Sequence, residues 1–435
     1  MEPRGLERYF ILSTGSKSKT DSLVPRDEGR EENQTREIPP SYLVSAGYCG
    51  SKRVVKLKFY DPKTGKIFVW YDNTGHKPYL LTNLTVEEIK KLDAVVNHPG
   101  LDHLESVRKY DPLNDREITV TKVVAKDPLS IGGRARGTLR ELIPKECVRV
   151  FGSEKKCKVW ESYIKYYQSY IYDRDLIPGM MYRTESGKLI QTDDGTSQNM
   201  MENIKNAFSD EPEDFLKHVI NWAKLLETPA PKPRILALDI EVLASAVNRI
   251  PDPREAAHPV IAVALIGNDG RRRILLLRRE GIEEGSITLP KNLEATFYSS
   301  EKEILSEVFK ALNDYPFVLT FNGDDFDLRY LWHRALNLGF KREEIPIEAN
   351  PRNCLLSHGI HLDLYRFFFN RSIQTYAFRH KYHNATLEDV SSAILGEGKV
   401  ALGEKSISEL TYSELARYCS RDAEILLSLI HISEP

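Results

Sequence analysis

From Val54 to Tyr60 apolar and polar residues alternate, and after Asp61-Pro-Lys-Thr-Gly65 the alternation resumes over Lys66–Tyr71. A period of two on either side of a Pro- and Gly-bearing turn predicts a β-hairpin. Lys77–Thr82 predicts a third strand, and Glu117–Val124 another. Thr85 with Glu88 three residues on has the form of a capping box and predicts a helix start. The aromatic stretch Trp160–Tyr172 predicts a helix ended by Pro178-Gly179, and Asp214–Leu226 a second. Pro229, Pro231 and Pro233 then stiffen the chain into a linker.

Beyond that linker the pattern changes. Apolar runs predict strands at Ile235–Val242, Val260–Ile266, Arg273–Leu277 and Val318–Phe321. Helices are expected at Glu301–Asn313, Asp327–Leu338, Thr386–Leu395 and Tyr412–Leu429. Three strands precede most of the helices, which predicts a mixed sheet flanked by helices. The expected fold class is therefore α/β and α+β in several domains. A polar tail, expected to be disordered, covers 1–40. A strand-rich domain covers 41–228, and the α/β domain covers 229–426.

Two polar residues interrupt the run Ile235–Val242: Asp239 and Glu241. Positions i and i+2 of a strand share a face, so both carboxylates leave the sheet on one side. Two close carboxylates in an apolar strand repel each other and lose hydration, and a divalent cation with oxygen ligands removes that cost. Asp327 stands where the strand Val318–Phe321 gives way to a helix, a position open to a cleft at the sheet edge. Tyr418 and Asp422 lie four apart on a helix and share a face. Together these residues suit a two-metal phosphodiesterase, in which carboxylates hold two ions and a tyrosine orients water. Each also has a plainer reading: surface decoration for Asp239 and Glu241, a helix cap for Asp327, a solvated helix edge for Tyr418 and Asp422. The neighbouring Asp324-Asp325 pair is expected to be solvated turn charge.

Charge and cysteine content narrow the picture. The net charge is −2, so no global basic field advertises nucleic acid and any positive groove must be local. Arg271–Arg273 and Arg278-Arg279 either follow a phosphate backbone or form a solvated edge. Phe367–Phe369 either stack bases or form a buried cluster. Five cysteines without a Cys-x-x-Cys pair point to free thiols rather than a zinc site or disulfides. With no long apolar run and no signal pattern at Met1, the expectation is a soluble cytoplasmic protein with no membrane partner.

Leu-Asp239-Ile-Glu241, Asn322-Gly-Asp-Asp-Phe326-Asp327 and Tyr418-Cys-Ser-Arg-Asp422 resemble the three exonuclease motifs of the family B DNA polymerases. Asp72–Tyr79, Leu176–Met180, Asn248–Asp252 and His361–Tyr365 resemble the replicative enzymes of crenarchaea, over roughly residues 42–426. The resemblance implies an RNase H-like 3′–5′ proofreading exonuclease domain that releases deoxynucleoside monophosphates. It implies Asp239, Glu241, Asp327 and Asp422 as ligands of two divalent cations, Mg²⁺ or Mn²⁺, with Tyr418 positioning water. Asn322 and Phe326 would contact the 3′ end of a frayed strand, and Thr386 and Leu387 single-stranded DNA. Pro78 and Tyr79 match part of a template-base pocket, although an arginine found near Ser169–Tyr172 in some relatives is absent. Single-stranded and primer-template DNA are the implied partners, with a sliding clamp for the full-length enzyme.

The family's polymerase palm follows the third motif and is not found here, so this chain is not expected to extend primers. Leu427–Pro435 reads as the translation of CTG TCT CTT ATA CAC ATC TCC GAG CCC, the mosaic end and adapter of a transposase-based sequencing library. Residues 427–435 are therefore expected to be foreign to the fold. The alternative function is an inactive module that binds single-stranded template.

Overall fold

The computed structural model describes residues 37–133, 137–192, 198–227, 230–243, 251–400 and 405–432. Most of the expected tail, Pro229 of the linker, Asn248–Ile250 and Ser433–Pro435 lie outside the described residues.

The expected hairpin forms Val54–Asp61 and Lys66–Tyr71, paired antiparallel from Lys56–Tyr71 to Asp61–Lys66. It belongs to a five-stranded sheet completed by Ser41–Cys49, Met181–Glu185 and Lys188–Gln191. The third predicted strand, Tyr79–Thr82, joins a second sheet instead, between Arg116–Ala125 and Val159–Trp160. The capping box is present: Glu88 N–H donates to Thr85 Oγ1 at 3.3 Å, and Thr85 N–H donates to Glu88 Oε2 at 2.8 Å. The predicted helix Trp160–Tyr172 is a correction, because only Tyr166–Asp173 is helical. Val159 and Trp160 are taken up as a sheet edge opposite Thr82 and Leu81, and Glu161 turns the chain with φ +57°.

The residues from Ile235 onward form the mixed sheet that the pattern predicts. Its six strands run in the order Glu294–Tyr298, Arg272–Leu277, Val260–Gly267, Ile235–Val242, Phe317–Thr320, Ile360–Asp363. The three central ladders around Val260–Gly267 and Ile235–Val242 combine antiparallel and parallel pairing. Alternation along Ile235–Val242 separates two layers. Leu236, Leu238, Ile240 and Val242 pack with the helices Glu301–Asp314 and Asp327–Asn337, whereas Ala237 packs with the helices Leu387–Leu395 and Tyr412–Ile432. The last helix continues through Leu427, and Leu429 is buried at its end.

The five-stranded sheet touches the region of the six-stranded one. Lys58 Nζ donates to the carbonyls of Leu356 (2.7 Å) and Gly359 (2.8 Å), and Tyr60 meets Phe317 edge-on at 5.5 Å. Among the described residues no helix is long and apolar enough to cross a membrane.

Candidate active site

Asp239 and Glu241 follow Ala237 onto the face covered by the helix Tyr412–Ile432. Small residues make room for them. Ala264 stands opposite Asp239 and Ala262 opposite Glu241 on the neighbouring strand. Ala416, Cys419 and Ala423, spaced along one side of the helix, are fully buried against the sheet. Tyr418 and Asp422 lie on the same helix, and Asp422 is only 2% exposed. The strand Phe317–Thr320 pairs with Ile235–Ala237 and goes no further. That leaves the Ile240 N–H beyond the ladder, where it donates to Asp327 Oδ1 at 3.3 Å. The first residue of the helix Asp327–Asn337 is thereby tied to the Asp239 strand.

The electrostatics are those of too many buried anions. Burial drives the Asp239 carboxyl well above the usual range, and the charges of Asp422, Glu241 and Asp327 add to it, opposed by Lys399. Burial and then Asp422 push Glu241 up to about 8. Asp327 rises to about 7, mainly by burial, held back by the backbone N–H groups of Asp327 and Ile240. Asp422 is also raised by burial in spite of Lys399. Burial lifts the Tyr418 phenol to about 12.

Lys399 is the residue that sequence reading missed. Its Nζ lies 2.5 Å from Asp422 Oδ2 and 5.6 Å from the centre of the Tyr418 ring. Burial alone would favour the neutral amine, but Asp422 and Tyr418 more than offset it and keep the ammonium. Its loop is anchored by Glu388, which accepts the Lys399 N–H at 2.6 Å. A single lysine after Gly396-Glu-Gly398 carries no local signal. Cys419 was missed too. Ligand atoms of Asp239, Glu241 and Cys419 lie within 4.8 Å of one another. Burial holds that thiol protonated, and it donates to the Asp239 carbonyl at 3.6 Å.

One cation does not satisfy four carboxylates. Asp239 Oδ2 and Asp422 Oδ1 are buried without a hydrogen-bond partner among the described residues. Such orphaned anionic oxygens are rare in folded proteins, and hard oxygen donors clustered this way fit a divalent cation.

The turn ahead of Asp327 is strained and braced. Asn322 has φ +67°, which asparagine tolerates better than most residues. A Cβ on Gly323 would come within 2.2 Å of Thr320 Oγ1. Asp363 accepts the N–H groups of Asn322 (2.7 Å) and Asp324 (3.1 Å). Phe326 is half-buried against Tyr330 at 5.7 Å. Asp324 corrects the expectation of solvated turn charge: it is 7% exposed. Its Oδ1 accepts the Cys354 N–H at 2.7 Å and its Oδ2 pairs with Arg366 Nε at 3.1 Å. Asp325 does remain exposed.

The other named residues divide. Thr386 caps its helix by accepting the Asp389 N–H at 3.1 Å, and Leu387 sinks into the apolar layer that holds Cys419. Pro78 and Tyr79 stand apart, beside the four-stranded sheet, where with Arg140 and Tyr163 they line a cavity of about 310 Å³. Arg271 and Arg278 are exposed, as a solvated edge requires, but most of the arginines in these runs are engaged. Arg271 pairs with Asp314, Arg272 with Glu424 and Arg273 with Glu307, while Arg279 donates to the carbonyls of Ser408 and Leu410. Of the three consecutive phenylalanines only Phe368 is buried.

The chain is similar to known proteins along most of its length. Residues 157–379 match the model of the DNA polymerase family B exonuclease domain. DNA polymerase 1 of Saccharolobus solfataricus is 40% identical over 429 residues, 98% of this chain and 46% of its own length. DNA polymerase 1 of Aeropyrum pernix is 36% identical over 90% of this chain and 39% of its own length. The family B DNA polymerase of Pyrobaculum calidifontis shares the fold, with a TM-score of 0.57 over 91% of this chain and 46% of that one, at 18% identity. The chain thus spans less than half the length of these relatives. The motif at Tyr418–Asp422 lies beyond the family-model match but within the span shared with the Saccharolobus protein.

Proposed function

The chain belongs to the family B DNA polymerases and carries their exonuclease domain, and from that membership and the carboxylate cluster we propose that it hydrolyses DNA from the 3′ end. The exonuclease domain of this family depends on metal; the reading here is that Asp239, Glu241, Asp327 and Asp422 hold two divalent cations, Mg²⁺ or Mn²⁺. The observation that carries it is the cluster of buried carboxylates around Asp239, in which Asp239 Oδ2 and Asp422 Oδ1 lack a hydrogen-bond partner among the described residues and Lys399 pairs with Asp422.

When bound, such ions lower the pKa of water and stabilise the leaving oxygen of the scissile phosphodiester. The chain's own groups do the rest. Tyr418, its phenol kept protonated, donates a hydrogen bond that orients the attacking water. Lys399 holds Asp422 in place and offsets part of the cluster's negative charge. Asn322 and Phe326 fix the terminal nucleotide, one by its amide and one by its ring, and the helix start at Thr386-Leu387 borders the strand's path. The Ile240 N–H and the Asp363 carboxylate keep Asp327 and its turn from drifting, which matters because small misplacements cost large factors in rate. The product is a deoxynucleoside monophosphate.

In the same reading the domain boundary falls near residue 229, and the longer polymerase uses this activity for proofreading. Primer-template DNA and a sliding clamp are partners of that whole enzyme, and Pro78 and Tyr79 contribute to a template-base pocket. The test is shortening of a 5′-labelled single-stranded oligonucleotide. Stepwise loss from the 3′ end with Mg²⁺ or Mn²⁺, stopped by chelation, supports hydrolysis. Binding without shortening would leave the inactive template-binding module.

A further inference from the structure

The segment Leu364–Thr386 leaves the sheet directly after Asp363, the residue that braces the Asn322 turn. In a chain of net charge −2, this stretch holds four Arg or Lys residues and no Asp or Glu. It also holds seven aromatic residues, and several face solvent: Tyr376 is 84% exposed, Phe369 61% and Phe367 37%. Exposed aromatic rings are costly unless something covers them.

The rings are ordered rather than scattered. Phe321, next to Asn322, meets Tyr365 edge-on at 5.9 Å. Tyr365 in turn stacks on Phe369 at 5.3 Å, with planes 26° apart. A continuous aromatic ledge therefore leads from the turn beside the carboxylates out to solvent. The same segment carries Arg371, Arg379 and Lys381, all exposed and without an acidic partner among the described residues. Only Arg366 is engaged, with Asp324 and Asp325. The backbone is also unusual: Ile373–Ala377 is a π-helical turn, and Arg379 and His380 adopt φ +50° and +57°. Such irregularities concentrate where a chain presents side chains for a purpose.

We propose that this ledge binds single-stranded DNA upstream of the terminal nucleotide, with bases stacked on Phe369 and Tyr376 and phosphates against Arg371, Arg379 and Lys381. Alternating cations and exposed rings match a polynucleotide, which offers a charged backbone and a π-face on every base. A protein partner would call for acidic groups to meet the three cations, and stacking would give it no advantage. The proposal rests on the exonuclease reading, and it deepens that reading by giving the site a grip on several nucleotides.

The test measures binding without hydrolysis, in an Asp327→Ala background with Mg²⁺, using fluorescein-labelled (dT)12. Arg371→Gln with Arg379→Gln is expected to weaken binding about tenfold and to flatten the log–log salt dependence by roughly 1.4. Phe369→Trp adds emission that (dT)12 quenches over the same concentration range, whereas a thymidine dinucleotide, too short to reach the ledge, does not quench it. In the hydrolysing chain, Phe369→Ala raises KM for the 12-mer about tenfold with kcat nearly unchanged. Unchanged affinity and salt slope, or (dT)12 binding without quenching, would overturn the ledge and assign the patch to a protein contact. Absence of shortening by the unmutated chain would instead overturn the exonuclease reading, and the binding measurements do not depend on it.

Discussion

Asp324 and Asp327 sit on one turn, three residues apart and both buried, yet their surroundings differ completely. Asp324 accepts a backbone N–H from Cys354 and pairs with Arg366. Burial raises its carboxyl, but the His361 hydrogen bond, the Cys354 N–H and Arg366 outweigh that and set it below the usual range. Asp327 has only backbone donors, the Ile240 N–H at 3.3 Å and its own N–H, and its charge meets those of Asp239, Glu241 and Asp363. A buried carboxylate supplied with donors holds structure together. A group of buried carboxylates left short of donors is unstable until a cation arrives, and that instability marks a functional site.

The largest effect expected from this contrast is on hydrolysis. Asp239→Ala or Asp327→Ala should reduce 3′–5′ release of nucleotides on the order of 10³-fold or more, while the melting temperature without metal stays level or rises, because a destabilising charge is gone. Quantified product release and calorimetry on the same samples check both halves. Next comes Lys399→Met, which frees Asp422 and should lower the hydrolytic rate roughly 10–100-fold, measured under saturating Mg²⁺.

Asp324→Ala should reverse the pattern. Loss of a satisfied buried carboxylate, leaving the Cys354 N–H unpaired, should cost roughly 2–4 kcal/mol of stability, while folded protein at low temperature keeps its hydrolytic rate within a few-fold. Asp325→Ala, at an exposed position, should stay within about 0.5 kcal/mol. A fall in rate equal to that of Asp327→Ala would erase the distinction between the two aspartates.

The smallest effect is the pH dependence, and its sign separates the regions. Glu241 and Asp327 titrate near 8 and 7 when folded, above their unfolded values near 4. The folded state without metal therefore holds protons that the unfolded chain releases, and stability falls as pH rises through 7 and 8. Asp324 has the opposite sign: its contribution is complete above the unfolded value and is lost as pH falls through its lowered folded value. Thermal scans in EDTA should show a melting temperature several degrees lower at pH 8.5 than at pH 6, with Mg²⁺ or Mn²⁺ removing the difference.

Much of the carboxylate cluster was legible because it is written in local patterns. The strand Ile235–Val242 and its two polar interruptions follow from period two, and the pairing of Tyr418 with Asp422 from helical spacing. What was not legible depends on partners distant in sequence. Asp324 looks solvated until Cys354 and Arg366, 30 and 42 residues away, are placed beside it. The arginine runs look free until Glu307, Asp314 and Glu424 reach them. Lys399 belongs to the site only because the loop held by Glu388 folds back over Asp422. The aromatic run at Trp160 was misread because its first residues pair with Leu81 and Thr82 rather than coil.

Manganese binding at pH 7.5, followed by the paramagnetic resonance of the free ion, addresses the cation site directly. Saturable binding is expected in the unmutated chain and in Asp325→Ala, weakened at least about tenfold in Asp239→Ala and Asp327→Ala. Binding that saturates equally in all four proteins would show that the cluster does not hold the metal, and would contradict the account.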